Sequence, residues 1–403
     1  MSAWLTIIGV GDDGVDGLAT GPRALIGAAD IIVGSRRILE REELGNAETH
    51  IWSSPIADML TQIDSWRGKN VVILATGDPM CFGVGATIAR HIPPGEMTVI
   101  PAPSAFSLAA ARLKWPLQDV ETISLHGRPV SLIQRFLQPG MKVLALTASG
   151  ETVQEAAALL CACGFGESRL TVLEHMAGPY ERIVKLTAEE CGSQDFADLN
   201  TLAIECIAGV DAKVLPRTPG LPDEAFCHDG QLTKREVRAI TLAALGPARH
   251  ALLWDVGAGC GSIAIEWMRA ARGAQAIAFE QNLDRIKLIA ENAVALGVPE
   301  LEVAAGDVEQ TLQGHLAPSA IFLGGAVTNE NVFKTCWAVL PPGGRLVANA
   351  VTLEGEAALI ARHEAHGGEL VRIDISHVAG IGTRRALKPR LAVIQWRVTK
   401  GDA

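Results

Sequence analysis

Apolar positions along the chain fall into two alternating textures. Runs of strand length, dense in Val, Ile and Leu, lead into loops of small residues. Alanine-rich stretches follow, with apolar positions spaced as on one face of a helix. Strands that are apolar on both faces belong in sheets covered by helices on each side, so the pattern predicts an α/β fold throughout. In the first half, strands are predicted at Leu5 to Val10, Ile31 to Val33, Val71 to Ala75, Thr98 to Ile100, Lys142 to Leu146, Leu170 to Glu174 and Leu202 to Cys206. In the second half they are predicted at Leu252 to Val256, Gln275 to Phe279, Leu301 to Ala304, Ala320 to Leu323, Gly344 to Ala348, Leu370 to Ile375 and Arg390 to Trp396. Between the halves, Leu215-Pro-Arg-Thr-Pro-Gly-Leu-Pro222 concentrates the residues that end regular elements. The expected organisation is a domain over 1–212, a linker over 213–222 and a second domain over 223–403.

Composition narrows the class. At 403 residues the chain exceeds one core of ~150 residues. Hydrophobic residues make up 48% but aromatics only 4%, with one tyrosine, Tyr180, so the core must be aliphatic. Few aromatics also means few platforms on which bases could stack. Lys and Arg number 35 against 45 Asp and Glu, a net charge of −10 that weighs against nucleic acid or an anionic membrane as general partner. No run reaches the ~18 apolar residues of a membrane helix. The apolar run Trp4 to Val10 has no basic residue before it and breaks at once into Gly-Asp-Asp-Gly, unlike a secretion signal, so a cytoplasmic protein is expected. Eight cysteines without a Cys-x-x-Cys pair are expected mostly to fill the core, not to build a disulfide or zinc framework, and no metal-ligand cluster stands out.

Chemistry concentrates in glycine loops. Leu252-Leu-Trp-Asp-Val-Gly-Ala-Gly-Cys-Gly-Ser262 is an apolar strand, an acid and a turn over Gly257, Ala258, Gly259, Cys260 and Gly261, followed by a helical pattern. Such a turn lets backbone approach a ligand and aims a helix N-terminus at it. Glu280 ends the second strand, where nucleotide-binding folds place an acid for ribose hydroxyls; its bland alternative is a solvated helix-capping acid. Asp255 either braces the glycine loop through backbone amides or touches the ligand.

The last two glycines stand one residue closer than in Gly-x-Gly-x-x-Gly, and with Asp255 ahead of them the loop resembles class I methyltransferases that bind S-adenosylmethionine. That resemblance implies an acid beside adenine, matched by Gly306-Asp307, and a loop near the reacting methyl, matched by Gly324. Leu221-Pro-Asp-Glu-Ala-Phe, Leu232-Thr-Lys-Arg-Glu-Val-Arg-Ala and Leu340-Pro-Pro-Gly-Gly-Arg-Leu-Val-Ala-Asn-Ala-Val-Thr-Leu-Glu354 are similar to the decarboxylating precorrin methyltransferases of cobalamin biosynthesis. Carry-over assigns Thr233 to the cofactor and places Asn349 at a strand end facing the substrate. Thr233 also suits a helix N-cap with Glu236 in a capping box.

The first half resembles class III, tetrapyrrole-type methylases. The matches, in order, are Gly9-Val-Gly11, Ala29-Asp-Ile-Ile-Val-Gly-Ser-Arg-Arg37, Gly77-Asp78-Pro79, Ile100-Pro-Ala-Pro-Ser104, Ser124-Leu-His126-Gly-Arg128 and Glu174-His-Met-Ala-Gly-Pro-Tyr-Glu-Arg-Ile183. In that family Gly9, Gly11, Gly77, Asp78 and Ser104 would lie against the cofactor. The chain departs from the common opening Gly-x-Gly-Pro-Gly-Asp by carrying Asp12, Asp13 and Gly14. Asp78 either holds its loop or faces the tetrapyrrole.

The resemblances together imply a class III methylase followed by a Rossmann-like class I domain with a mostly parallel seven-stranded sheet. They imply two S-adenosylmethionine sites, no metal, and methylation of a tetrapyrrole at carbon 5 by the first half. The second half would methylate carbon 15 and decarboxylate the ring C acetate. Asn349, Asp78 and His126 are the candidates for proton handling. Arg128, Arg384 and Arg385, with Arg36, Arg37, Lys388 and Arg390 beside them, suit the substrate's carboxylates, since a guanidinium forks onto a carboxylate. Self-association into a homo-oligomer is expected from the relatives' habit. A class I methyltransferase acting on RNA or protein, and a non-catalytic cofactor sensor, are the competing readings.

Overall fold

The computed structural model describes residues 3–42, 44–53 and 56–401. The chain divides into two compact units, one formed by 1–130 and 138–213, the other by 131–137 and 214–403.

The first unit holds two sheets. Strands β1 (Leu5–Val10), β2 (Ile31–Gly34), β3 (Glu48–Ile51), β4 (Val71–Thr76) and β5 (Met97–Ile100) form a parallel sheet ordered β3-β2-β4-β1-β5. Alternate side chains of β1, Leu5 and Ile7 against Ile8 and Val10, enter clusters on its two faces, which is why the strand reads as apolar throughout. Strands β6 (Glu121–Ser124), β7 (Lys142–Leu146), β8 (Arg169–Glu174), β9 (Arg182–Thr187) and β10 (Asn200–Glu205) form the second sheet, ordered β6-β7-β10-β8-β9 and antiparallel except for the β6-β7 pair.

The second unit holds a seven-stranded sheet built from β11 (Leu252–Val256), β12 (Gln275–Glu280), β13 (Glu302–Ala305), β14 (Ala320–Leu323), β15 (Arg345–Ala350), β16 (Glu369–Ile373) and β19 (Val393–Thr399). Its order is β13-β12-β11-β14-β15-β19-β16. Six strands run in one direction, and β19 lies antiparallel between β15 and β16. The strand order reverses direction at β11, so the loops after β11 and β14 diverge around a crevice at the carboxyl ends of the strands. A separate hairpin, β17 (Ser376–Ile381) with β18 (Arg384–Pro389), is inserted before β19.

The strands that periodicity missed share one trait. β3, β6 and β9 are sheet edges, and β17 and β18 lie outside the main sheet with mostly exposed side chains. None offers the run of buried apolar residues by which the central strands are recognised. The Pro-Gly segment read as a linker is fastened to the second unit. Arg269 Nη2 donates to Leu215 O (3.0 Å), and Glu266 accepts from the Gly220 and Leu221 amides (2.5 and 3.0 Å). Cys191, Cys206, Cys260 and Cys336 are buried as core fillers, whereas Cys161 and Cys227 are exposed. Among the described residues no helix is long and apolar enough to cross a membrane.

Candidate functional site

In the second unit the crevice opens into a cavity of about 750 Å³. Gly257, Ala258, Gly259 and Cys260 line it from the loop after β11, Gly324 from the loop after β14, Asn349 from the end of β15, and Thr233 from the segment ahead of β11. The loops cross at Gly257, whose backbone is left-handed (φ +74) and on which a Cβ would lie 2.8 Å from the Gly325 nitrogen. Only glycine permits that approach.

Glu280 is buried and serves the loop: its Oε2 accepts from the Gly259 amide (2.9 Å), and its Oε1 from the amides of Gln281 and Asn282 (both 3.0 Å). This differs from the bland expectation of a solvated acid. Asp255 Oδ2 accepts from the Ala264 amide at the start of the next helix (3.0 Å), while its Oδ1 is buried without a partner. Burial pushes the Asp255 carboxyl up to about 7. Glu280 therefore braces the glycine loop and Asp255 the first turn of the helix that follows it, and neither is among the cavity-lining residues. Gly261, left-handed at φ +79, caps the helix Ser262–Ala270. Gly306 donates its amide to Glu280 O (3.1 Å), and Asp307 is exposed as the cap of a short helix, accepting from the Glu309 amide (3.0 Å). The Cys260 thiol is pushed by burial to about 11.

Thr233 does not form the capping box. The helix Arg235–Leu245 begins one residue later, with Lys234 as its uncapped N-cap, because Arg238 Nη1 takes the Thr233 carbonyl (2.5 Å) and holds this residue in the entering strap. Arg238 is fully buried against Glu266 (2.6 Å). At the opposite wall Asn349 Nδ2 donates to Thr241 Oγ1 (2.9 Å), and Asn349 Oδ1 accepts from Gln395 Nε2 (3.0 Å), which fixes the amide's orientation. Arg384 and Arg385 stand exposed on β18, away from the lining residues, whereas Arg390 lines the cavity. Arg285, Phe322 and Leu391 also line it, and nothing in their local sequence marks them.

In the first unit, the loops after β1, β4 and β5 converge. A Cβ on Gly9 would strike Gly77 O and Ala102 N, and the Gly77 amide donates to Val10 O (2.8 Å). Asp78 Oδ1 accepts from the Met80 amide (2.8 Å), so one of its oxygens holds the loop. Ser104 caps the helix Ala105–Leu113 by accepting from the Ser107 amide (3.1 Å). Gly11 sits over the Asp13 carboxylate. His126 and Arg128 are exposed in the loop after β6. Sequence reading missed the role of Asp12, a buried carboxylate that gathers Arg37, Arg41 and His175.

The closely apposed glycines and the cavity that adjoins them fit a nucleoside-bearing cofactor in the second unit. Residues 4–192 match the family model described as tetrapyrrole (corrin/porphyrin) methylases, and residues 224–400 match the precorrin methyltransferase domain. A precorrin-6Y C(5,15)-methyltransferase (decarboxylating) of Sinorhizobium sp. is 46% identical over 402 residues, covering 100% of this chain and 97% of that one. The enzyme of that name from Mycobacterium tuberculosis is 39% identical over 405 residues, 98% of this chain and 100% of its own. A solved C-terminal domain of precorrin-6Y C5,15-methyltransferase from Rhodobacter capsulatus is 41% identical, covering 46% of this chain and 100% of that domain, with a TM-score of 0.44. With both family models matched in order and a relative aligned along its whole length, the chain belongs to the decarboxylating precorrin-6Y C(5,15)-methyltransferases.

Proposed function

We propose that the chain methylates precorrin-6B (dihydro-precorrin-6) at carbons 5 and 15 and removes the ring C acetate carboxyl, giving precorrin-8 in cobalamin biosynthesis. The first unit would serve carbon 5, and the second carbon 15 and the decarboxylation. The reading includes two S-adenosylmethionine sites, one per unit, no metal, a cytoplasmic location and a homo-oligomer. The observation that carries it is the cavity of about 750 Å³ beneath the crossed glycines, in a chain aligned end to end with a relative of that name.

When bound, the sulfonium cofactor supplies an electrophilic methyl group. The chain's own task is positioning, because in-line transfer needs donor and acceptor near attack geometry. Thr233 and the loop Gly257–Gly261 would hold the cofactor in the second unit, with Glu280 keeping that loop rigid and Gly306-Asp307 at its adenine end. Gly9, Gly11, Gly77, Asp78 and Ser104 would do so in the first. Asn349, clamped by Thr241 and Gln395, offers its remaining N–H and lone pair to the substrate side. Arg390 at the cavity, Arg384 and Arg385 on the hairpin and Arg128 in the first unit suit the macrocycle's carboxylates.

The full chain incubated with methyl-labelled cofactor and precorrin-6B is expected to install two methyl groups and release one carbon dioxide per macrocycle. Glu280→Ala, which frees the Gly259 amide, is expected to remove one of two cofactor-binding events in calorimetry, together with the carbon-15 methyl and the carbon dioxide. Cofactor binding without transfer, or two intact binding events in Glu280→Ala, would overturn the reading.

A further inference from the structure

The family's common opening loop is replaced here by Asp12-Asp13-Gly14, and Asp12 has partners that a proline in that place could not gather. Its carboxylate is buried. Oδ1 accepts from Arg37 Nη1 and from Arg41 Nη1 (3.3 Å), and Oδ2 faces His175 Nδ1 at 3.1 Å. Arg37 reaches on to Thr76 Oγ1 (3.5 Å) at the end of β4, so the cluster is tied to the Gly77-Asp78-Pro79 loop. A carboxylate held by two guanidiniums accepts, so Nδ1 is the donor of the His175 contact, and in the neutral imidazole the lone pair then stands on Nε2.

The backbone is shaped to bring this about. His175 (φ +47) and Ala177 (φ +65) are left-handed, as is Phe82 (φ +55) in the neighbouring loop, a conformation that residues with a Cβ avoid unless their surroundings impose it. Gly178 permits the approach, since a Cβ there would collide with Asp12 Oδ2. Met176 packs with Cys81, Ala105 and Phe106, which seats the His175 loop against the two ligand loops of this unit. The Tyr180 ring, 71% exposed, stands edge-on to the imidazole, and the half-exposed Phe82 ring lies edge-on to Phe106 in the cluster that holds Met176. The groups facing His175 are Asp12 with Arg37 and Arg41 behind it, Glu174 on its own strand, itself paired with Arg182, and the Tyr180 ring at 6.2 Å.

We propose that His175 accepts the proton released when the first unit methylates the macrocycle, with Asp12 as its positioning residue. The inference rests on the reading that this unit serves carbon 5. Attack of the ring carbon on the methyl group forms a C–C bond as the S–CH3 bond breaks, its electron pair staying on sulfur. The same carbon then holds both methyl and hydrogen. Loss of that hydrogen as a proton to His175 Nε2 returns the C–H pair to the conjugated ring. A ring hydrogen is thus replaced by methyl, with a thioether and one proton as the other products.

The test uses the full chain, precorrin-6B and labelled cofactor. In His175→Ala the carbon-5 methyl is expected to form about a hundredfold more slowly. Carbon dioxide release, the carbon-15 methyl and cofactor binding are expected to stay within twofold of the wild type, and added imidazole to restore part of the lost rate. Asp12→Asn is expected to lower turnover with little change in cofactor KM and to alter the pH profile of carbon-5 methylation. A full carbon-5 rate in His175→Ala would overturn the proposal. So would a loss that follows cofactor affinity and ignores imidazole, the signature of a mere loop latch. Glu280→Ala separates the two ideas: if it removes the carbon-5 methyl, the assignment of carbons to units is wrong, whereas if it removes only the carbon-15 methyl, the His175 result stands on its own.

Discussion

At Gly257 the second unit's site depends on the absence of a side chain. A Cβ there would lie 2.8 Å from Gly325 N and 2.9 Å from Gly325 Cα, both backbone atoms that cannot swing away, and φ +74 adds a conformational penalty of about 1 kcal/mol. Gly257→Ala should therefore push the loops after β11 and β14 apart and weaken cofactor binding at this site at least tenfold, as calorimetry would report. Thr233, Gly257, Gly259, Gly324 and Asn349 stand in contiguous motifs that single them out in the sequence, and all line the cavity. Whether an acid touches a ligand or braces a loop is not written in its spacing. Glu280, at the expected strand end, spends its oxygens on three backbone amides.

Among elements, the strap from Leu221 to Lys234 roofs the glycine loop and is held from below by buried side chains. Asn292, on the helix Leu283–Ala295, accepts from the Cys227 amide (2.8 Å) and donates to Cys227 O (2.9 Å) and Cys260 O (3.0 Å), joining strap to loop through one amide. Asn292→Leu would leave the buried Cys260 carbonyl unpaired at about 1–3 kcal/mol and release the Cys227 backbone. The expected outcome is a lower melting temperature of the second unit together with a weaker second-unit cofactor site, measurable by scanning and titration calorimetry on one preparation. Central strands were legible because both their faces are apolar. β3, β9 and the β17–β18 hairpin were not, because half or more of their side chains meet water and periodicity fades, and β6 offers only two buried side chains. The Pro-Gly segment read as a linker for its composition, which reports local chain breaking but not the Arg269 and Glu266 side chains that fasten it.

For the whole molecule, the titrating groups of the two units oppose one another. In the first, hydrogen bonding from Arg112 holds Glu181 down to about 2, and Arg182 holds the Glu174 carboxyl low. Acids depressed below their unfolded values contribute stability that is present above about pH 4 and lost as pH falls toward 2. In the second, Asp255 is raised to about 7 by burial, so its contribution is complete below about pH 4 and disappears as pH climbs to 7. Scanning calorimetry should show the first unit's transition falling on acidification and the second's falling as pH rises between about pH 4 and pH 7. Asp255→Asn, which keeps an acceptor for the Ala264 amide, should flatten only the second trend. The net charge of −10 acquires a local meaning at this scale: under the proposed function, carboxylate recognition would fall to a few placed cations such as the cavity-lining Arg390 in an otherwise acidic chain. By itself the sequence determined the α/β class, the glycine loops and the family resemblance, since periodicity and contiguous motifs are short-range properties of a chain. Only the tertiary structure decided which side chains meet. Asp12 finds His175 across 163 positions and Thr241 finds Gln395 across 154, because such partners are set by sheet register and packing, which no local spacing encodes.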